Sequence, residues 1–364
     1  MTGARMRTEG EGAPRGAARR GGRRRTVALS AAGCALAAAA GLLLPAAFDG
    51  RGDGRREGTA SAARTATERT APRAATTASC DYPEQSLRPT GEVGPAMRRL
   101  RDRPDKKLRV GVDLNSFRWG YRAPTEKDKI AGFDIDLARA IAKEVYGSEE
   151  AITFIAIPTS QRTTALATRR VDVIVRTMTI TCERAEEVAF SAPYFETYQQ
   201  LLIPDGTKRA EGVEDSSGVA PDASLRGKKV CVAKGTTAEE VLDSAEKGDK
   251  AWGAEKFLRP NQLDCLVRLQ LGEVDAILTD GALAASQVAQ DPTLKLVDEQ
   301  MSEEPEYYGV AVNKEDTDLV RTVNKVLEDY RRGGERSLWM QKYQHWLQKQ
   351  LPGLTGPPTV DYRD

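Results

Sequence analysis

Histidine is almost missing from this chain: its 364 residues contain one, His345, and the five cysteines include no pair two residues apart. Zinc sites are built from clustered imidazole and thiolate donors, and that cluster is not here. A Ser–His–Asp set is equally out of reach, since the single histidine falls in a terminal helical stretch. Carboxylate acid–base chemistry is what stays open to an enzymatic reading. Charge of one sign is not in excess either. Lys and Arg number 54 against 53 Asp and Glu, so nothing overall points to nucleic acid. No motif calls for a cofactor.

What is present begins with an uneven N-terminus. Residues 1–25 carry eight arginines and two acids, and Val27 to Phe48 follow without a charge. A basic segment before an apolar one is an export signal, and this run is long enough to span a bilayer. Residues 1–25 therefore read as a basic cytoplasmic region, and 26–48 as a signal-peptide core or a membrane anchor. Three outcomes compete: cleavage, retention as an anchor, or lipidation of Cys34. Ala31-Ala-Gly-Cys34 lacks the larger aliphatic residue of a lipid-attachment site, and no small-x-small cleavage site closely follows the run. Retention is favoured, which would leave the chain associated with the membrane, and in every case its bulk lies outside the cytoplasm. Residues 49–79 carry almost no large apolar side chain and cannot offset their ordering entropy, which predicts a disordered linker.

In an oxidising compartment Cys80, Cys182, Cys231 and Cys265 make an even set. Of the three pairings open to four cysteines, we take Cys231 with Cys265 and Cys80 with Cys182. The first links two strand-and-helix units, and the second pins the start of the ordered chain. Loops of this length add about 3–4 kcal/mol in the chain-entropy picture.

From residue 106 onward, strand and helix patterns alternate. Leu108-Arg-Val-Gly-Val112 reads as a strand ending at Asp113. Leu137, Ala138, Ile141, Ala142 and Val145 share one helical face behind Asp134 and Asp136, whose charges suit a helix N-terminus. Strands are expected at 152–157 and 171–175, with a short helix at 161–168 between them. The grammar restarts with a strand at 229–233, a turn at Gly235-Thr-Thr237, a helix at 238–245 and a strand at 274–278 leading to Asp280. Helices at 316–332 and 335–347 end the pattern.

One stretch carries chemistry without further help. The 171–175 strand runs into Thr177, Thr179, Thr181 and then Arg184. Hydroxyls and backbone N–H groups at a strand's carboxyl end, beside a guanidinium fork, suit a planar carboxylate.

Gly132-Phe-Asp-Ile-Asp-Leu-Ala-Arg-Ala-Ile-Ala142, Phe190-Ser-Ala-Pro-Tyr-Phe195, Asp275-Ala-Ile-Leu-Thr-Asp280 and Tyr308-Gly-Val-Ala-Val312 resemble the signatures of solute-binding proteins of polar amino-acid ABC transporters, family 3. The resemblance covers residues 106–348. It implies an α/β, two-lobed periplasmic-binding-protein type II clamshell with two hinge strands, near 196–200 and 303–307. The first lobe would be 106–197 plus 306–348 and the second 198–305, with 80–105 an N-terminal extension and 349–364 a tail. An amino acid would be gripped between the lobes for delivery to an ABC permease.

Carried over by position, Arg184 and the hydroxyl of Thr179 match the groups that take a ligand's α-carboxylate, with the backbone of Thr177 assisting. Asp280 matches the carboxylate for the α-ammonium, and Thr236 and Thr237 the second-lobe turn. A helix N-cap is the plain alternative for Asp280, and a capping turn for the threonines. Arg162 stands twenty-two residues before Arg184, as in glutamate binders that this chain resembles, and a second guanidinium asks for a second carboxylate. That favours glutamate or aspartate. Asp113 pulls the other way, towards an amide or a cation, unless it orients an arginine. Arg176 reads either as a pocket cation or as the partner of Asp113. Phe117, Trp119 and Tyr121 read as ligand cover or as core. Glutamine or asparagine binding, a membrane-anchored amino-acid sensor and a dehydratase on the same fold are the alternatives.

Overall fold

Where apolar β-branched runs alternate with amphipathic helices, each strand needs helices on both faces to hide it from water. The computed structural model meets that need twice. It describes residue 80 and residues 82–123, 129–206, 225–245 and 252–364. The basic region, the 26–48 segment with Cys34 and the 49–79 linker lie outside the described residues. Among the described residues no helix is long and apolar enough to cross a membrane.

Two five-stranded sheets carry the structure. The first runs in the order Ile152–Ala156, Leu108–Val112, Val173–Ile174, Ala311–Asn313, Val188–Phe190. The second runs Glu255–Arg259, Lys229–Ala233, Ala276–Asp280, Gln199–Pro204, Leu294–Gln300. In each, three parallel strands are joined by helical crossovers and two further strands add antiparallel. The chain crosses between the sheets along Phe195–Thr197 and returns along Glu306–Tyr308, and these two strands pair antiparallel. The fold is thus α/β with two lobes and two hinge strands, the type II arrangement.

Each lobe has its own core. Val110, Ile135, Leu137, Ile141 and Val323 pack between the first sheet and its helices, and Val230, Val232, Leu242 and Leu278 do so in the second. Trp119, Phe133, Phe195, Tyr308 and Trp339 form an edge-to-face and stacked aromatic cluster at the hinge end of the first lobe. Trp119 is a core residue, fully buried, with its indole N–H donated to Ala282 O and Ser286 Oγ across to the other lobe's helix. Phe117 and Tyr121 pack on each other edge to face.

The body extends past residues 106–348 at both ends. Helix Pro95–Arg101 buries Met97 and Leu100, and Asp318 accepts from the N–H groups of Ala96 and Met97 at its start. Ser86 bridges to Tyr362, and Asp364 accepts from Arg88 N, so the two terminal segments are tied to each other. Cys80 is bonded to Cys182 and Cys231 to Cys265.

Candidate ligand-binding cleft

Parallel strands of one sheet point their carboxyl ends in one direction, and ligands of open α/β sheets sit in the crevice beyond those ends. Here the ends of both sheets face each other. Asp113 follows Leu108–Val112, Arg176 to Thr179 follow Val173–Ile174, Asp280 closes Ala276–Asp280, and Gly235-Thr-Thr237 follows Lys229–Ala233. The lobes meet across this crevice. Gly235 lies in the left-handed region at φ +77°, and a Cβ there would come within 3.1 Å of Ser160 Cα on the opposite lobe. Glycine is required by both facts.

One side of the crevice is crowded with guanidinium groups. Arg162, Arg176 and Arg184 are all buried. Arg162 Nη2 and Arg184 Nη2 donate to the same carbonyl, Gly235 O, at 2.9 and 3.2 Å, while Arg162 Nε holds Thr159 O and Arg184 Nη1 holds Thr179 O. Burial, then the charges of Arg184 and Arg176, push the Arg162 guanidinium well below its ordinary pKa. Arg184 has Glu240 at 3.8 Å, half exposed. A cavity of about 250 Å³ reaches Arg162 and Arg184, with Lys234 and Glu240 on its wall.

Arg176 is different. Its Nη2 donates to Asp113 Oδ2 and to Thr159 Oγ1, both at 3.0 Å, and Asp113 also accepts from Asn115 N and Ser116 Oγ. The strand register makes this pair: Gly111 lies opposite Ile174, and two positions further on Asp113 meets Arg176. Asp113 is therefore neutralised inside its own lobe.

The other side of the crevice carries carboxylates. Asp280 Oδ1 accepts from Gln199 Nε2 at 2.6 Å and Oδ2 from the Tyr308 hydroxyl at 2.8 Å. Its position is that of a helix N-cap, but its side chain makes no capping bond, so the capping alternative does not account for it. Burial, and then the charge of Glu306, push its carboxyl up to about 8. Glu306, on the returning hinge strand, accepts at Oε2 from the hydroxyls of Thr179 and Thr237, each at 2.9 Å. One hydroxyl comes from each lobe.

The remaining threonines divide. Thr237 faces the crevice, whereas Thr236 Oγ1 donates to Ala233 O and accepts from Glu239 N, which is a helix-capping turn. Thr177, at φ +41°, is held in a conformation costing on the order of 1–3 kcal/mol by its N–H, which bonds both Asp134 and the Tyr194 hydroxyl. That N–H is therefore engaged within the first lobe. Asp134, buried beneath it, has its carboxyl raised to about 7 by desolvation. Glu306, Gln199 and Asp134 escape a reading of spacing alone. Only Asp134 carries a signal, as an acid at a helix start followed by apolar positions.

A two-lobed α/β body with a polar crevice between the lobes defines a protein that closes on a small solute. Residues 108–347 match the bacterial extracellular solute-binding proteins, family 3, and the chain belongs to that family. It is 31% identical over 243 residues to the ABC transporter glutamine-binding protein GlnH of Bacillus subtilis, covering 67% of this chain and 82% of that one. It is 36% identical over 211 residues to the glutamine-binding protein of Geobacillus stearothermophilus, covering 57% and 73%. Other relatives carry the names glutamate-, histidine- and arginine-binding protein. Among solved structures, a mutant of the T. maritima arginine-binding protein superposes with a TM-score of 0.58 at 29% identity, covering 69% of this chain and 99% of that one.

Proposed function

We propose that the crevice binds an acidic amino acid, glutamate or aspartate, and presents it to an ABC permease. The single observation that carries this reading is the convergence of Arg162 and Arg184 on one carbonyl oxygen. Among the described residues no carboxylate pairs with Arg162, and Arg184 has a half-exposed glutamate at 3.8 Å. Two buried guanidiniums side by side repel, and two carboxylates on one ligand relieve both. Arg184 then takes the α-carboxylate, Arg162 the side-chain carboxylate, and Asp280 the α-ammonium, with Thr179 and Thr237 at the junction. Asp113, paired with Arg176, is not left over for a cationic side chain, which argues against arginine or histidine as the ligand.

Glutamine is the second reading, supported by the names of two relatives. Its amide presents an oxygen to Arg162 but no charge. Calorimetric titration of the purified protein with the twenty amino acids tests both. Binding confined to glutamate and aspartate supports the first reading, and a preference for glutamine supports the second. Membrane attachment through the 26–48 segment is proposed from its uncharged apolar run behind the basic residues 1–25, and fractionation of cells expressing the full chain tests it.

A further inference from the structure

Two carboxylates from different elements stand around one amide. Gln199 Nε2 donates to Asp280 Oδ1 at 2.6 Å and to Glu306 Oε1 at 2.8 Å. Among the described residues neither carboxylate forms an ion pair with a lysine, arginine or histidine. Acids that share a buried site resist ionising together unless a cation joins them. Gln199 is itself fully buried, and its Oε1 has no hydrogen-bond partner. A half-turn of that amide leaves its shape unchanged and exchanges donor for acceptor. Turned so, Gln199 Oε1 stands beside the Asp280 and Glu306 carboxylates as a third acceptor, in place of the amide nitrogen that also meets Thr237 Oγ1 at 3.2 Å. A primary ammonium carries three N–H groups.

We propose that Glu306 is a second ammonium-binding carboxylate of the crevice, sharing the ligand's α-ammonium with Asp280 while Gln199 Oε1 takes the third N–H. This rests on the amino-acid-binding reading and adds to it a residue on the hinge strand. Because Glu306 also accepts from Thr179 of one lobe and Thr237 of the other, the cation is held where both lobes meet the hinge. The charged and titratable neighbours are few. Tyr308 donates to Asp280, Tyr194 and Arg162 lie within electrostatic reach of Asp280, and Glu240 within that of Glu306. Burial and Glu306 keep a proton on Asp280 at neutral pH, and an ammonium placed between the two acids removes the reason for it. Binding should therefore expel a proton.

The test is titration of L-glutamate into the full-length wild type and Glu306→Gln at neutral pH, in phosphate and in Tris, whose different ionisation enthalpies count protons. Wild type should release most of one proton per ligand. Glu306→Gln should bind on the order of a hundredfold more weakly, as when one partner of a buried charge pair is removed. It should also release distinctly less proton, because Asp280 has lost its charged neighbour. Unchanged affinity, or weaker binding with the wild-type proton count, would mean that Glu306 is a hinge residue and overturn the proposal. The wild type alone also decides, since glutamate binding without proton release contradicts it even if the variant fails to fold. A wild type that binds none of the twenty amino acids sinks the functional reading instead.

Discussion

Across the crevice, the arginine side and the carboxylate side carry opposite imbalances. On one side three buried guanidiniums stand near one buried carboxylate, Asp113, which is fully engaged, and the half-exposed Glu240 at 3.8 Å from Arg184. On the other, Asp280 and Glu306 share an amide and two threonine hydroxyls but have no cationic partner among the described residues. Each imbalance is costly alone, because buried charges need partners. On the proposed reading the two complement a solute with two negative groups for the arginines and a positive group, borne beside one of them, for the carboxylates. Asp113 and Arg176, by contrast, satisfy each other within one lobe at 3.0 Å.

Removing the α-carboxylate anchor should break this comparison most completely. Arg184→Ala should abolish calorimetric heats for every amino acid, since losing one partner of a buried charge pair costs about 2–5 kcal/mol. Retained binding would show that the arginine side does not read the ligand. Next comes the carboxylate side. Asp280→Asn should lose binding to a comparable degree yet gain thermal stability at pH 8. The sign follows from protons: the folded Asp134 and Asp280 titrate near 7 and 8, far above the unfolded value of 3.8. The folded chain therefore holds protons that the unfolded chain has lost, and stability should fall as pH rises from about 4 to 8. Melting curves at pH 5 and pH 8 would show Asp280→Asn losing less of its midpoint than wild type across that window. An equal loss would mean that the Asp280 carboxyl is not raised. A smaller effect is expected from Gly235→Ala, whose new Cβ meets Ser160 where the lobes touch. The left-handed backbone costs the variant about 1 kcal/mol in every folded form, so its melting temperature should fall slightly, and the contact with Ser160 where the lobes touch should weaken binding about fivefold.

Much of the fold was readable because its rules are local. The two rounds of strand and helix and the face Leu137–Ala138–Ile141–Ala142–Val145 follow from periodicity, whereas pairing Cys231 with Cys265 is a choice among three that the structure bears out. The strand expected over 171–175 is regular only at Val173–Ile174, yet Asp172 N still donates to Arg109 O and Val175 N to Gly111 O, so pairing with the neighbouring strand continues on both sides of it. The choice for Arg176 between pocket cation and ion-pair partner needed the register of two strands about sixty residues apart. Pattern within either strand does not contain that register. Glu306 was hidden for another reason. It stands in Glu303-Glu-Pro-Glu306, a run that reads as solvated surface, and only the pairing of the hinge strands turns its carboxylate inward. Thr236 and Thr237 are neighbours with the same side chain, and the turn alone decides that one caps the helix and the other faces the crevice.

An acidic ligand requires that Arg162 read a side-chain carboxylate. Paired titrations of L-glutamate and L-glutamine into wild type and Arg162→Leu, at one ionic strength, measure the difference of affinities that defines specificity. Wild type should prefer glutamate, and the substitution should weaken glutamate by on the order of a hundredfold while leaving glutamine equal or tighter. Equal weakening of both ligands would make Arg162 a structural residue and contradict an acidic ligand.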